Sequence, residues 1–300
     1  MNSNNLESIN KIYKPYKYTI KGKVKILNCD KEDIVIKPKD DKLIETHKYL
    51  SSRGFNNSVE IKDKNRDKYF IYPFIYENNI PYEQKGIDMA KTVALMHAKT
   101  TYFKDIDDST IDSIYYDIDN SISYSKEYYS KLFDDIFMKR YYLPSEMLFM
   151  DIYSKINNAC LFCKNELEEW YSLSSDKKSK RVVLLHNNLK LDHFLKGEED
   201  YLISFEKAKF DTPVLDLVKF YKNEYHNLDF NELFKEYIYH FDLTVDEYKL
   251  FFILISIPDV ISFSLDEKDN LNKINNLKEY LNKTENLIRP YYSDDDKKEQ

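Results

Sequence analysis

The sequence predicts an α+β chain in two lobes: a small N-terminal lobe of antiparallel sheet plus one helix, and a larger, mainly helical C-terminal lobe. Three observations predict it. Short alternating apolar segments bounded by turn residues occupy roughly the first 77 residues, and helical periodicity dominates from Pro81 onward. With 300 residues and 42% hydrophobic content, the chain can also bury two lobes around a cleft. The expected division is 1–77 for the N-lobe, 78–292 for the C-lobe and 293–300 for a disordered tail.

Tyr18 to Leu27 alternates as a strand, with Gly22 marking a bend or bulge. Asn28 to Lys31, containing Cys29, reads as a hairpin turn, and Asp33 to Lys37 as the second strand. After Pro38, Asp40 to Arg53 has helical spacing with Leu43, His47 and Leu50 on one side, and it stops at Gly54. Phe55 to Glu60 and Lys68 to Tyr76 suggest two more strands around a polar turn, Asp63 to Asp67. Glu83 to Lys99 is helical, with Ile87, Ala90, Val93, Ala94, Met96 and Ala98 at apolar positions. Ile111 to Trp170 holds two or three amphipathic helices, the last major one starting at Pro144 and Ser145. Val182 to Leu185 is a buried strand followed by a short hairpin. Thr244 to Glu247 is a capping box before the apolar run Tyr248 to Ile257, a buried helix. The charged segment Ser293 to Gln300 is expected to fray.

A net charge of −7 with mixed signs argues against nucleic-acid binding, because no basic stripe supplies phosphate contacts. The dense basic run Lys177 to Arg181 reads as a solvated loop. No segment combines a charged start with an apolar core as a signal peptide does, and Leu250 to Ile257 is too short to span a bilayer. Three cysteines, with Cys160 and Cys163 in a helical stretch and no second C-x-x-C, point to core thiols in a reducing, cytoplasmic setting. Few glycines and abundant Lys, Asn, Ile and Tyr suggest an AT-rich, low-GC bacterial genome. The 27 tyrosines follow from that codon bias.

The chemistry is concentrated in Val182-Val183-Leu184-Leu185-His186-Asn187-Asn188-Leu189-Lys190-Leu191-Asp192-His193-Phe194-Leu195 and in Tyr201-Leu202-Ile203-Ser204-Phe205-Glu206. This pattern resembles the aminoglycoside phosphotransferase and choline kinase superfamily, where a buried strand leads into H-G-D-x-x-x-x-N and then a hairpin ending in I-D-W/F-E. The flanks agree: Phe205 to Ala208 resembles W-E-x-A, and Asp211 to Leu217 resembles D-x-P-x-x-D-L. The short spacing from lysine to helix and the single-proline hinge bring the chain nearest to the bacterial spore-coat kinase-like branch.

The resemblance implies a protein-kinase-like bilobal fold with a degenerate catalytic loop over 182–206. In the family, the first Asp is the base, and the Asn and later Asp hold magnesium on ATP. Here His186 is kept, Asn188 stands at the base, His193 at the first metal ligand and Ser204 at the second. An amide has no useful basicity, and a lost general base costs about 10²–10⁴ in rate. Imidazole and hydroxyl are poor ligands for magnesium, which prefers hard anionic oxygens. Asp192 and Glu206 remain as substitute acids, Glu206 on the face of Ser204 if that segment is extended. Lys37 ends a V-I-K strand like the one whose lysine meets the ATP phosphates; it could equally face solvent. Glu45 could pair with Lys37 or be an exposed acid. The backbone near Phe74 and Ile75 would hold adenine, and Asp216 would start a helix and brace the loop. His97, at the end of its helix, reads as a packed structural histidine.

The implied function is that of a pseudokinase binding a protein partner or a small molecule, with ATP as the possible cofactor and magnesium weak or absent. The alternatives are an unconventional small-molecule phosphotransferase and a structural coat component without ligand. Fold does not choose among them.

Overall fold

Glycine 22 turns the chain back on itself in the first lobe. In the computed structural model, which describes Ile9, residues 11–63 and residues 68–292, β1 (Pro15–Lys21) and β2 (Val24–Cys29) form an antiparallel hairpin closed by Gly22 and Lys23. The single bent strand expected over Tyr18 to Leu27 is thus two strands. Gly22 has φ +59°, the positive value that a tight II′ hairpin asks of its first central residue. β3 (Ile34–Pro38) and β4 (Tyr69–Pro73) complete a sheet of order β1-β2-β3-β4. Leu27, Ile34, Ile36 and Ile71 pack with Ile9 on one face. The other face carries Phe70 and Tyr72 against α1 (Asp41–Ser52), whose Leu43 and Leu50 are buried. Asp40 caps α1 by accepting from the Lys42 N–H at 3.0 Å.

Cys29 closes β2, buried, and the turn follows it rather than containing it. Phe55 to Glu60 forms no strand of the N-lobe sheet and makes a single parallel bridge, Ser58 to Leu202 of the C-lobe. Phe55 and Val59 are buried, but the backbone goes to the C-lobe: Asn57 O accepts from Leu202 N at 2.7 Å, and Asn57 Nδ2 donates to Asp200 O at 2.8 Å. The apolar signal was burial, and the ladder partners were elsewhere. Part of the polar turn Asp63 to Asp67 lies outside the described residues.

The C-lobe begins with α2 (Tyr82–Thr100), a short β5 (Tyr102–Asp105) and the two long helices α3 (Asp108–Phe137) and α4 (Pro144–Ser174). Cys160 and Cys163 are on the buried face of α4, in the core. β6 (Ser179–Leu185) runs between β5 and β9 (Lys209–Asp211), and β7 (Phe194–Lys196) pairs with β8 (Asp200–Leu202). Helices α5 (Val214–Glu224), α6 (Phe230–His240), α7 (Val245–Ser256) and α8 (Glu267–Tyr292) close the lobe. Glu247 accepts from the Thr244 N–H at 3.0 Å, half of the expected capping box.

The basic run is not a solvated loop. Ser179 to Arg181 opens β6, Lys177 meets Asp246 at 2.7 Å and Lys180 meets Asp211 at 3.2 Å. Arg181 forks onto both oxygens of Glu247 and lies 4.4 Å from the Phe241 ring centre. Among the described residues no helix is long and apolar enough to cross a membrane. The expected tail, 293–300, lies outside the described residues.

Candidate functional site

A cleft of about 520 Å³ opens between the sheet and the C-lobe hairpin. Its upper wall is Lys21, Val24, Ile26, Val35, Lys37 and Tyr72, continuing through Phe74 and Ile75. The lower wall is Asp192, His193, Leu195, Leu202, Ile203, Ser204 and Glu206. A broad apolar middle with two largely buried cations, Lys37 and the Glu77-paired Lys85, suits a flat ring carrying an anionic tail.

The loop beneath it is held by one carboxylate. β6 ends in buried residues that lead into His186, whose N–H donates to Asp216 Oδ2 at 2.7 Å, while the Asn187 N–H donates to Asp216 Oδ1 at 2.7 Å. His97 Nε2–H donates to the same carboxylate at 3.2 Å, and its Nδ1 accepts from the Tyr237 hydroxyl at 2.8 Å. All of His97 and Asp216 is buried, so His97 is the structural histidine expected. Asp216 braces the loop as expected, but from inside the first turn of α5 rather than as its cap. Burial, then the Asp216 charge, pushes the Tyr237 hydroxyl well above its ordinary range.

Asn187 sits at φ +60°, a left-handed posture that asparagine adopts more readily than most residues. In the resembling pattern this is the glycine position. The His186 ring donates from Nε2 to Ile203 O at 2.7 Å and lies edge-on to Phe205, leaving a buried Nδ1 without a partner. Burial holds its pKa below the ordinary value, opposed chiefly by the Asp216 charge.

The three altered positions differ in placement. Asn188 is half-buried off the cleft wall, and its carbonyl accepts from His193 Nδ1–H at 2.7 Å. A carbonyl only accepts, so His193 Nδ1 carries a hydrogen, and the residue lines the cleft. Ser204 has φ +71°, and its Oγ lies 3.4 Å from Lys37 Nζ. Glu206 Oε1 lies 3.3 Å from the same nitrogen. Phe205–Lys207 is a 3₁₀ turn, so the extended geometry expected after Ser204 is absent, yet Ser204 and Glu206 both reach Lys37.

Two expected contacts are replaced. Glu45 is exposed on α1 and does not meet Lys37, whose counter-charge is Glu206. The Phe74 N–H is donated to Asp33 O at 3.1 Å, so it is not free for a base edge; Ile75 does line the cleft. Asp192 stands exposed on the cleft rim. Among the described residues no group of three or more His, Cys, Asp or Glu converges to hold a metal ion. The donors that face Lys37 are a hydroxyl and a carboxylate already paired with it.

Sequence reasoning missed the β1–β2 hairpin as a roof over the cleft, with Lys21 on its wall. Isolated Gly22 was the available signal. It also missed Asp33, which gathers Tyr76 Oη at 2.7 Å, Asn28 Nδ2 at 2.7 Å and Cys29 N at 2.9 Å, and so ties the hinge to the β2–β3 turn. The Tyr76 hydroxyl bond, then the Cys29 amide, holds the Asp33 carboxyl below its ordinary value.

No protein-family model and no curated protein sequence matches the chain. Solved structures do. An aminoglycoside phosphotransferase from Alicyclobacillus acidocaldarius aligns with a TM-score of 0.66 at 10% identity, over 92% of each chain. The AMP-bound complex of a spectinomycin phosphotransferase aligns at 0.48 and 14%, over 98% of this chain and 95% of the other. A choline kinase from Streptococcus pneumoniae gives 0.45 and 11%, over 94% and 95%. The first of these spans both lobes, and it establishes architecture. The chain has the bilobal fold of an aminoglycoside phosphotransferase.

Proposed function

We propose that the protein is a cytoplasmic pseudokinase: it binds a nucleotide-like ligand in the cleft, needs little or no magnesium to do so, and works by binding or scaffolding rather than by phosphoryl transfer. The observation that carries this reading is the Lys37 ammonium held by Glu206 and Ser204, where an enzyme of the resembling family would need a free metal-ligating acid. Asn188 offers its carbonyl to His193 and has no base to offer a substrate. The apolar wall of Val24, Ile26, Val35 and Ile75 supports an aromatic ring, and Lys37 supports an anionic tail. Three buried thiols, none in a disulfide, support the cytoplasmic setting.

A second reading, an unconventional phosphotransferase, is favoured by one observation. His193 lines the cleft with Nδ1 bonded to Asn188 O, and the neutral ring has its second nitrogen to take a proton from a hydroxyl.

One experiment separates the two. ATP is titrated calorimetrically with magnesium and with chelator, and phosphoryl transfer and hydrolysis are followed in parallel. The pseudokinase reading expects affinity that changes little on adding magnesium and turnover far below the roughly 1–100 s⁻¹ of kinases. It also expects chemistry to return in Asn188→Asp/His193→Asn/Ser204→Asp. Kinase-like turnover by the unmodified protein overturns it, and loss of that turnover in His193→Gln assigns the base.

A further inference from the structure

The outer edge of the N-lobe sheet combines features that the cleft does not use. β1 ends the sheet, with β2 its only neighbour among the described residues. The two-residue turn closes on the Lys21–Val24 pair, which in such a hairpin exchanges hydrogen bonds. Pairs alternate along an antiparallel ladder, so the N–H and C=O groups of Tyr18 and Ile20 point away from β2, toward the open edge.

The side chains there are unusual for a surface. Tyr16, Tyr18 and Ile20 are 70%, 71% and 58% exposed. No aspartate or glutamate occurs between Glu7 and Asp30, a stretch with six lysines in a chain whose net charge is −7. Lys14, Lys17 and Lys23 are exposed and meet no acid among the described residues. Lysines on an edge strand ordinarily guard it against pairing with a second copy, because antiparallel self-pairing sets like charges close together. That role explains the lysines but not the exposed tyrosines and isoleucine, which make an open edge more adhesive. Both are explained together by a partner that supplies acids.

We propose that β1 is a docking edge for an acidic, extended peptide segment of another protein. The segment adds as a strand, its backbone pairs with Tyr18 and Ile20, its apolar side chains cover the tyrosines, and its carboxylates meet Lys14, Lys17 and Lys23. This surface does not depend on whether the cleft holds a nucleotide.

The probe is a fluorescein-labelled peptide of alternating glutamate and valine, about as long as β1, followed by anisotropy on the full chain. Binding is expected to weaken roughly tenfold in Lys17→Glu/Lys23→Glu, which should turn instead to a lysine–valine peptide. Ile20→Pro removes one edge donor without touching a β1–β2 bond and is expected to abolish binding. If that variant fails to fold, the same peptide N-methylated at alternate residues makes the test from the ligand side and must fail to bind. Equal binding of the N-methylated and plain peptides overturns strand addition, and indifference to charge reversal overturns the acidic partner. Capture of phosphatidylserine vesicles or of an oligothymidylate by β1, with no binding of the peptide, overturns the proposal in favour of those surfaces.

Discussion

Lys37 of the sheet and Glu206 of the C-lobe face one another across the cleft, Nζ to Oε1 at 3.3 Å, with Ser204 Oγ at 3.4 Å from the same nitrogen. The pair joins the lobes at the point where a ligand's anionic tail would lie. An incoming anion must therefore compete with Glu206 for the ammonium.

Glu206→Gln is expected to raise ATP affinity about two- to fivefold, because the Glu206 side chain is 39% exposed and such a pair is worth no more than about 1 kcal/mol. Lys37→Ala should lower it by roughly tenfold or more. Calorimetry with chelator present reads both. An unchanged affinity in Lys37→Ala would place the anion elsewhere.

Asp216→Ala should destabilise the fold far more than Asn188→Ala. Removing the Asp216 carboxylate strips three donors of their acceptor, and each buried unpaired group costs roughly 1–3 kcal/mol. A lowering of the thermal midpoint by about 5–14 °C follows for a chain of 300 residues. Asn188 lends the fold its backbone carbonyl, which alanine keeps, so its midpoint should hardly move. Equal shifts would mean that Asp216 is not the brace.

His186 makes stability depend on acidity. Burial depresses its folded pKa, so as pH falls through the ordinary histidine value near 6.5 the unfolded chain takes up a proton that the folded chain refuses. Its contribution is complete above that value and is lost below it, by up to about 1.4 kcal/mol per pH unit. Thermal melts between about pH 7.5 and 5.5 should fall less steeply for His186→Gln, whose amide can still donate to Ile203 O. An identical slope would assign the effect to another histidine.

Gly197 lies in the β7–β8 turn against the hinge, and a Cβ there would meet Ile75 Cγ2 at 2.9 Å. Gly197→Ala should push Ile75 into the cleft and cut ATP affinity several-fold, with little change in thermal midpoint. Nucleotide titration and melting of the same preparation make the check.

Much of the fold is legible because burial writes a periodic pattern. Leu43 and Leu50 mark α1, and Val182 to Leu185 mark a strand covered on both faces. Where one signal had two sources, the reading failed. Phe55 and Val59 look like a strand because they are buried, but their segment bonds to Leu202 and Asp200 of β8 in the C-lobe instead of joining the N-lobe sheet. Glu267–Tyr292 was not read as a helix because its polar residues outnumber its apolar ones, and its buried stripe only has meaning against α4. The site shows the same limit. The sequence motif locates Ser204 and Glu206, whereas the choice of Glu206 over Glu45 for Lys37 depends on a 3₁₀ turn that sequence spacing does not disclose.

Ser204 holds φ +71°, a posture that L-residues other than asparagine and aspartate adopt reluctantly. A serine there bears a conformational cost that aspartate, the residue the family resemblance expects, would reduce. The backbone thus holds a bend that suits an acid better than the serine it carries. Ser204→Asp would lower the conformational energy of this bend while setting a carboxylate near Lys37, so the backbone already accommodates an acid at that position.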